Sequence, residues 1–317
     1  MSSEGSAVSS RLAVVTARQD AGLNICLLTL QAEDGAPLPP ATPGAHIDVH
    51  LPDGRSRQYS LLSSAPYRIA IKALRDGRGA SQWLYDNLAV DDLVRISAPR
   101  NNFSLREGAT DTVLLAGGIG VTALLCMYDT LSAIGRTVSL HYWARSQEET
   151  FLHAELSGKE GIHIHSCGGR ATSMAAVMAG HGPAADLYCC GPERMLTEFA
   201  ILTRDRDPQR VHIERFEADS TGAFPQTDHG FTVKLARTGT TIAVSKNQSI
   251  LEALIQAGIN LEYSCEEGLC GACEARVIEG DPLHRDSVRT PLEHNKRRTI
   301  MLCVSRVRSS DTLVLDL

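Results

Sequence analysis

At 317 residues the chain is too long for one typical core, so two or three domains are expected. With 43% hydrophobic and 21% charged residues it has the composition of an ordinary soluble protein, and no apolar run approaches the ~20 residues of a membrane span. The net charge of −6 offers no basic face for nucleic acid, so neither a nucleic-acid nor a membrane partner is expected, and a monomer is.

The first ten residues, MSSEGSAVSS, are small and polar and are expected to be disordered. From residue 11 to about 105 the pattern is one of short strands. Residues 12–15 and 24–30 are apolar runs, four prolines and Gly44 punctuate 37–44, 46–51 alternates with period two, and 67–74 is a further strand. Dense short strands with turns predict a small antiparallel β-barrel over 1–105, with one helix at 81–88. From about 110 the pattern changes. An apolar strand at 112–116 runs into Gly117-Gly-Ile-Gly-Val-Thr122, a helix follows over 123–134, and Gly135 stops it. Strands at 137–143, 161–165 and 186–190 and a helix at 192–204 continue the alternation, which implies a parallel sheet in an α/β domain over 106–220.

Residues 217–230 are polar and bear glycine and proline, so they read as a linker, with 221–230 set between the domains. Beyond it, 231–235 and 241–244 form a hairpin signal around Gly239. A short helix with Ser249 as its N-cap ends near Gly258, and the last domain runs over 231–317.

That last domain contains Cys265-Glu-Glu-Gly-Leu-Cys270-Gly-Ala-Cys273, with Cys303 thirty residues further on. The spacing is that of plant-type [2Fe–2S] ferredoxins. Two irons need two thiolates each, and soft sulfur ligands suit them. One loop can wrap the cluster while Cys303 closes it from a later strand, and Gly268 and Gly271 can take positive φ and let the backbone approach. A structural zinc site usually shows two C-x2–4-C pairs, and here there is one. Disulfides are disfavoured because nothing resembles a secretory signal. The other five cysteines, Cys26, Cys126, Cys167, Cys189 and Cys190, leave an odd number that fits a reducing cytoplasm.

Four further motifs carry chemistry, and three of them have a plain structural alternative. Arg57-Gln-Tyr59-Ser60 could hold a phosphate, pack a ring against an isoalloxazine and bond its polar edge, although a surface strand would look the same. Gly77-Arg78-Gly79-Ala80-Ser81 opens a helix and could bind a phosphate, or be an ordinary capped turn. Gly117-Gly118-Ile119-Gly120-Val121-Thr122, between strand and helix, could cradle a pyrophosphate, yet it is not the G-x-G-x-x-G dinucleotide fingerprint. Cys190-Gly191-Pro192 ends a strand where open α/β sheets place ligands, and the alternative for Cys190 is a buried structural thiol.

In that order, RxYS, GGIGVT, CGP and then C-x4-C-x2-C…C, the chain from about residue 11 to 317 resembles the phthalate dioxygenase reductase and vanillate demethylase reductase family. The C-terminal position of the ferredoxin module is its most specific feature. The resemblance implies an FMN-binding barrel, an NADH-binding sheet domain and a β-grasp [2Fe–2S] ferredoxin domain serving a terminal Rieske oxygenase. It implies that Arg57, Tyr59 and Ser60 hold the flavin, with Gly79 and Ser81 at its phosphate. Gly117, Gly118, Gly120 and Thr122 would meet the NADH pyrophosphate, Arg145 the adenosine side, Cys190 and Gly191 the nicotinamide, and Phe216 the flavin. No acidic selector for NADH is evident around 166–170, and Arg170 could favour a 2′-phosphate. Electron counting supports a flavin between a two-electron donor and a one-electron cluster. A Rieske centre, at roughly −150 to +300 mV against about −400 mV for plant-type clusters, makes the last transfer downhill. The alternatives are a reductase for a separate ferredoxin or another monooxygenase, and a flavin and iron–sulfur redox sensor.

Overall fold

The structure, a computed structural model, describes residues 10–74, 79–166, 172–217 and 229–317. The first nine residues, Gly77, Arg78, Cys167, Arg170 and most of the linker stretch lie outside the described residues. The chain divides into two units, Ser10–Phe216 and Glu217–Leu317.

The first unit begins with seven antiparallel strands: β1 (Ser10–Asp20), β2 (Ile25–Ala32), β3 (His46–His50), β4 (Ser56–Ser60), β5 (Ser63–Ser64), β6 (Tyr67–Lys72) and β7 (Leu93–Ser97), with α1 (Ala80–Asn87) before the last. Their order is β4-β3-β7-β1-β2-β6-β5. Period-two alternation sends Ile47 and Val49 of β3, Leu28 and Leu30 of β2, and Tyr67, Ile69 and Ile71 of β6 into one core. Strands from both ends of the sheet share that core, so the sheet curls into a barrel. Leu84 and Leu88, spaced by four, bring α1 onto the same core.

Five parallel strands follow: β8 (Asp111–Gly117), β9 (Thr137–Ala144), β10 (Ile162–Ser166), β11 (Asp186–Cys190) and β12 (Val211–Glu214), in the order β10-β9-β8-β11-β12. Helices cover both faces. Leu124 and Leu131 of α2 (Val121–Ala133) are fully buried, and Leu124 packs with Leu114 and Leu140. The short α3 (His153–Leu156) belongs to the same face. On the other, Met174 and Val177 of α4 (Met174–Ala179) and Leu196 and Phe199 of α5 (Glu193–Thr203) meet Val113, Leu115 and Leu187. Because β9 and β11 lie on opposite sides of β8, the chain changes direction between β8 and β11. The crevice at that switch point is where such sheets take ligands.

The second unit has β13 (Phe231–Leu235), β14 (Thr241–Val244), β15 (Glu274–Glu279), β17 (Thr299–Met301) and β19 (Thr312–Leu315) in the order β14-β13-β19-β15-β17. A small ribbon joins β16 (Pro282–Leu283) to β18 (Arg306–Val307). The first and last strands pair in parallel at the centre, and α6 (Ile250–Gln256) lays Ile250, Leu251 and Leu254 on their core in the β-grasp manner. Ser249 and Glu252 form a reciprocal capping box at the start of α6, as Thr290 and Glu293 do at α7 (Pro291–Arg297). No helix among the described residues is long and apolar enough to cross a membrane.

Candidate functional site

Cys265, Cys270, Cys273 and Cys303 are all buried and free of disulfides. Cys303 lies in the turn after β17, not on a later strand as the spacing suggested, because Met301 ends the ladder with β15. Gly268 (φ 70°) and Gly271 (φ 74°) adopt the positive φ expected of them. A Cβ on Gly268 would also come 2.7 Å from Val304 Cγ2 and 3.1 Å from Asp286 Cα, so only glycine lets the loop lie this close. Backbone N–H groups of Glu267 and Leu269 donate to Cys265 Sγ at 3.3 and 3.4 Å, and that of Ala272 to Cys270 Sγ at 3.4 Å.

The neighbouring Cys270 and Cys303 thiols hold the Cys265 thiol well below its ordinary pKa, and Cys303 lowers that of Cys273. Cys270 and Cys303 are raised in return. The four sulfurs therefore converge on one another. Buried thiols, N–H donors on sulfur and a glycine cradle together fit a [2Fe–2S] cluster.

On the barrel, period two puts Arg57 and Tyr59 on one face of β4 and Ser60 on the other. Arg57 donates to the Ser56 carbonyl at 2.7 Å and pairs with no carboxylate among the described residues. Burial pushes the Tyr59 phenol well above its ordinary value. Gly79 holds the left-handed conformation (φ 81°) before α1, whose first turn has no side-chain cap and includes half-buried Ser81. Those N–H groups and the positive end of the helix dipole would favour an anion at this place.

The two glycine motifs of the sheet, separate in sequence, lock together at the switch point. A Cβ on Gly120 would lie 2.3 Å from the Cys190 carbonyl oxygen, and one on Gly117 would lie 2.6 Å from Met195 Sδ and 3.3 Å from Gly191 Cα. Gly118 has φ 54° and open space beside it, as an approaching ligand needs. Thr122 is buried and its hydroxyl donates to the Ile119 carbonyl at 2.9 Å, so its proton is spent inside the turn. Arg145 is exposed just beyond β9. Cys190 is buried at the end of β11, and burial, with the nearby Glu214, pushes its thiol well up. Phe216 is 40% exposed just beyond β12.

Sequence reasoning gave no role to Glu214, which sits opposite Cys190 in the β11–β12 register. It keeps a little accessible surface, yet desolvation pushes its carboxyl up to about 8. A carboxylate in the otherwise β-prone run Val211-His-Ile-Glu-Arg-Phe216, at a strand's carboxyl end, was the available signal.

A family model of the 2Fe-2S iron-sulfur cluster binding domain matches residues 233–308. The chain is 39% identical over 302 residues to phenoxybenzoate dioxygenase subunit beta of Ectopseudomonas oleovorans, covering 93% of each. It is 37% identical to phthalate dioxygenase reductase of Burkholderia cepacia, covering 96% of each. A solved phthalate dioxygenase reductase, described as a modular structure for electron transfer from pyridine nucleotides to [2Fe–2S], matches with a TM-score of 0.70 at 36% identity over 98% of both chains. An intact type IV self-sufficient cytochrome P450 monooxygenase matches with a TM-score of 0.90 at 34% identity, over 97% of this chain and 41% of that one. With more than a third of its residues shared along nearly the full length of these reductases, the chain belongs to the phthalate dioxygenase reductase family, the flavin and iron–sulfur oxidoreductases of oxygenase systems.

Proposed function

We propose that the chain is the NADH-dependent reductase component of a Rieske-type ring-hydroxylating or O-demethylating oxygenase, working in the cytoplasm as a monomer. Its electrons run from NADH through FMN to the [2Fe–2S] cluster and on to the oxygenase. The observation that carries this reading is the union in one chain of a glycine-on-glycine crevice and a loop of four buried thiols. A redox sensor has no need of both.

When bound, the flavin supplies the exchange between a two-electron donor and a one-electron carrier, and the cluster supplies the one-electron exit. The chain's own residues bind and orient. Arg57 meets the flavin's phosphate side with a charge not already neutralised by a carboxylate, Tyr59 packs against the ring system, and Ser60 bonds its polar edge. Gly79 and Ser81 bring N–H groups to the phosphate. Gly118 leaves room for the nucleotide pyrophosphate, Gly117 and Gly120 let the turn that cradles it pack onto Gly191 and Cys190, Thr122 holds that turn, and Arg145 takes the adenosine side. Cys190 and Gly191 flank the nicotinamide, where the neutral thiol gives an uncharged, desolvated surface. Phe216 covers the flavin. No side chain needs to act as acid or base. At the exit, the backbone N–H groups on Cys265 and Cys270 favour the added negative charge.

Anaerobic titration with NADH, followed by paramagnetic resonance, tests the order of carriers. The signal of a reduced [2Fe–2S] centre should grow with added NADH. A protein whose flavin is reduced while the cluster stays oxidised overturns the reading. One observation favours a second partner. Nearly the whole fold recurs inside a self-sufficient cytochrome P450 monooxygenase, so a haem monooxygenase is the alternative acceptor. Product formation with a purified Rieske oxygenase, compared with that of a cytochrome P450, separates the two.

A further inference from the structure

The described residues contain one group of three donors whose ligand atoms all lie within 4.8 Å of one another, and it is not the cysteine loop: His284, Asp286 and His294. His284 and Asp286 follow β16, and His294 projects from α7, whose start is fixed by the Thr290–Glu293 box. His294 is 4% exposed, and the Asp286 side chain is fully buried. His294 Nε2 faces Asp286 Oδ1 at 3.1 Å without hydrogen-bond geometry, and neither ring nitrogen of His294, nor Nδ1 of His284, has a hydrogen-bond partner. Buried ring nitrogens left in this way are costly unless something binds them.

We propose that His284, Asp286 and His294 form a site for a divalent transition-metal ion, separate from the four-cysteine loop. Two imidazoles and a carboxylate suit zinc, which also accepts three protein ligands with water at the fourth position. The carboxylate is already held. Its Oδ2 accepts from the Val288 and Arg289 N–H groups at 3.2 Å each, and Oδ1 has only a 3.4 Å bond from the Ser305 hydroxyl. Oδ1 thus keeps a lone pair for an ion.

A cavity of about 270 Å³, lined by both histidines with Asn295, Arg298 and Thr299, leaves room for the ion's water. Asp286 and Asp281 attract a dication there, while Arg298 and Arg308 oppose it, so the imidazoles must supply much of the binding. The two rings stack, with centroids 3.5 Å apart at 12°. Parallel rings cannot both point at one ion, so His284, the more exposed, turns toward the cavity as the ion enters. The Ser287 N–H donates to the Gly268 carbonyl at 2.9 Å, so an ion held here would border the cluster loop.

The test reads metal content, independent of electron transfer. The flavin- and iron-loaded protein is dialysed against Zn²⁺, then against buffer, and zinc and iron per chain are measured. About one zinc per chain should remain. His284→Ala and His294→Ala, with His284→Asn as the milder change, should each lose it at unchanged iron content. His163→Ala should keep it, since His163 belongs to a different group, stacked on His141 at 4.6 Å. Wild-type protein retaining no zinc, the His284 variants retaining as much as wild type, or a loss that follows His163 instead overturns the proposal.

Discussion

Gly117 and Gly191 pack backbone to backbone: a Cβ on Gly191 would lie 3.1 Å from the Gly117 Cα. They close the base of the crevice between β8 and β11, so the width of that crevice is set by two missing side chains. The same holds for Gly120 against Cys190. Gly120→Ala drives a methyl into the Cys190 carbonyl, 2.3 Å away, which backbone cannot easily yield. It should lower stability by about 1–3 kcal/mol, as overpacking does, and abolish most reduction of the flavin by NADH. Denaturant unfolding and rapid-mixing absorbance check the two effects. Gly118→Ala, with open space around it, should keep the fold, apart from strain at φ 54°, and lose nucleotide affinity.

Cys190→Ala removes the neutral thiol proposed beside the nicotinamide. The limiting rate of flavin reduction should fall about tenfold or more, which is about 1.4 kcal/mol of barrier, with little change in NADH affinity. Stopped-flow measurement over a range of NADH separates the two. An unchanged limiting rate returns Cys190 to a purely packing role.

Glu214 gives stability a pH slope. Its carboxyl has an ordinary value of 4.5 and is raised to about 8 in the folded chain. Between those values the folded state holds a proton that the unfolded state has released. Its contribution to stability is therefore complete below about pH 4.5 and is lost as pH rises through about 8. Glu214→Gln should remove that part of the slope, so the variant gains on wild type steadily from pH 5 to 8.5. Paired thermal unfolding across the range measures it, and parallel curves contradict it.

A cut within 218–228 should leave two folded pieces, since the two units divide at Phe216 and Glu217. The N-terminal piece keeps Arg57, Tyr59, the 117–122 turn and Cys190, so it should still reduce ferricyanide with NADH. It should lose most cytochrome c reduction, because all four cluster cysteines are on the other piece. Full support of the oxygenase by the N-terminal piece would show that the cluster is not the exit.

Five glutamates, Glu262, Glu266, Glu267, Glu274 and Glu279, lie in or near the cluster loop in sequence, and one of them is engaged within the domain: Glu274 is bound by Arg289 at 3.0 Å and by the Thr299 hydroxyl. Glu262, Glu266 and Glu279 are exposed. Turnover with the oxygenase should fall as salt rises, and Glu262→Gln with Glu266→Gln should flatten that dependence while Glu274→Gln acts on stability.

Local chemistry was legible wherever a single stretch carried it. The helix after Ser249 ends at Gln256, two residues before Gly258, and the strand–glycine–helix unit at 112–134 stands within two residues of the expected bounds. The cysteine spacing fixed the cluster loop and the φ of its glycines. The helix at 291–297 was missed although Thr290-Pro-Leu-Glu293 spells a capping box, because its polar sequence shows no apolar period. What no stretch could show is convergence. Gly117 meets Gly191, Glu214 faces Cys190, and His294 reaches Asp286 only because strand order and helix placement bring distant residues together. Cys303 was expected on a strand because its apolar neighbours hide the turn that ends β17.

The parallel pairing of β13 with β19 bears on how the protein is made. Thr232–Leu235 must wait for Thr312–Leu315 before the central pair can form. The ribosome delivers Cys265, Cys270 and Cys273 well before the strand that completes their shelter. While the chain is nascent these thiols are open to oxidants and to stray metals. Whatever machinery hands over iron and sulfide therefore meets either an unfinished domain that must be shielded or a finished one released from the ribosome. A premature stop before Thr312 would leave every cluster ligand in the chain and still yield a domain that cannot close on them.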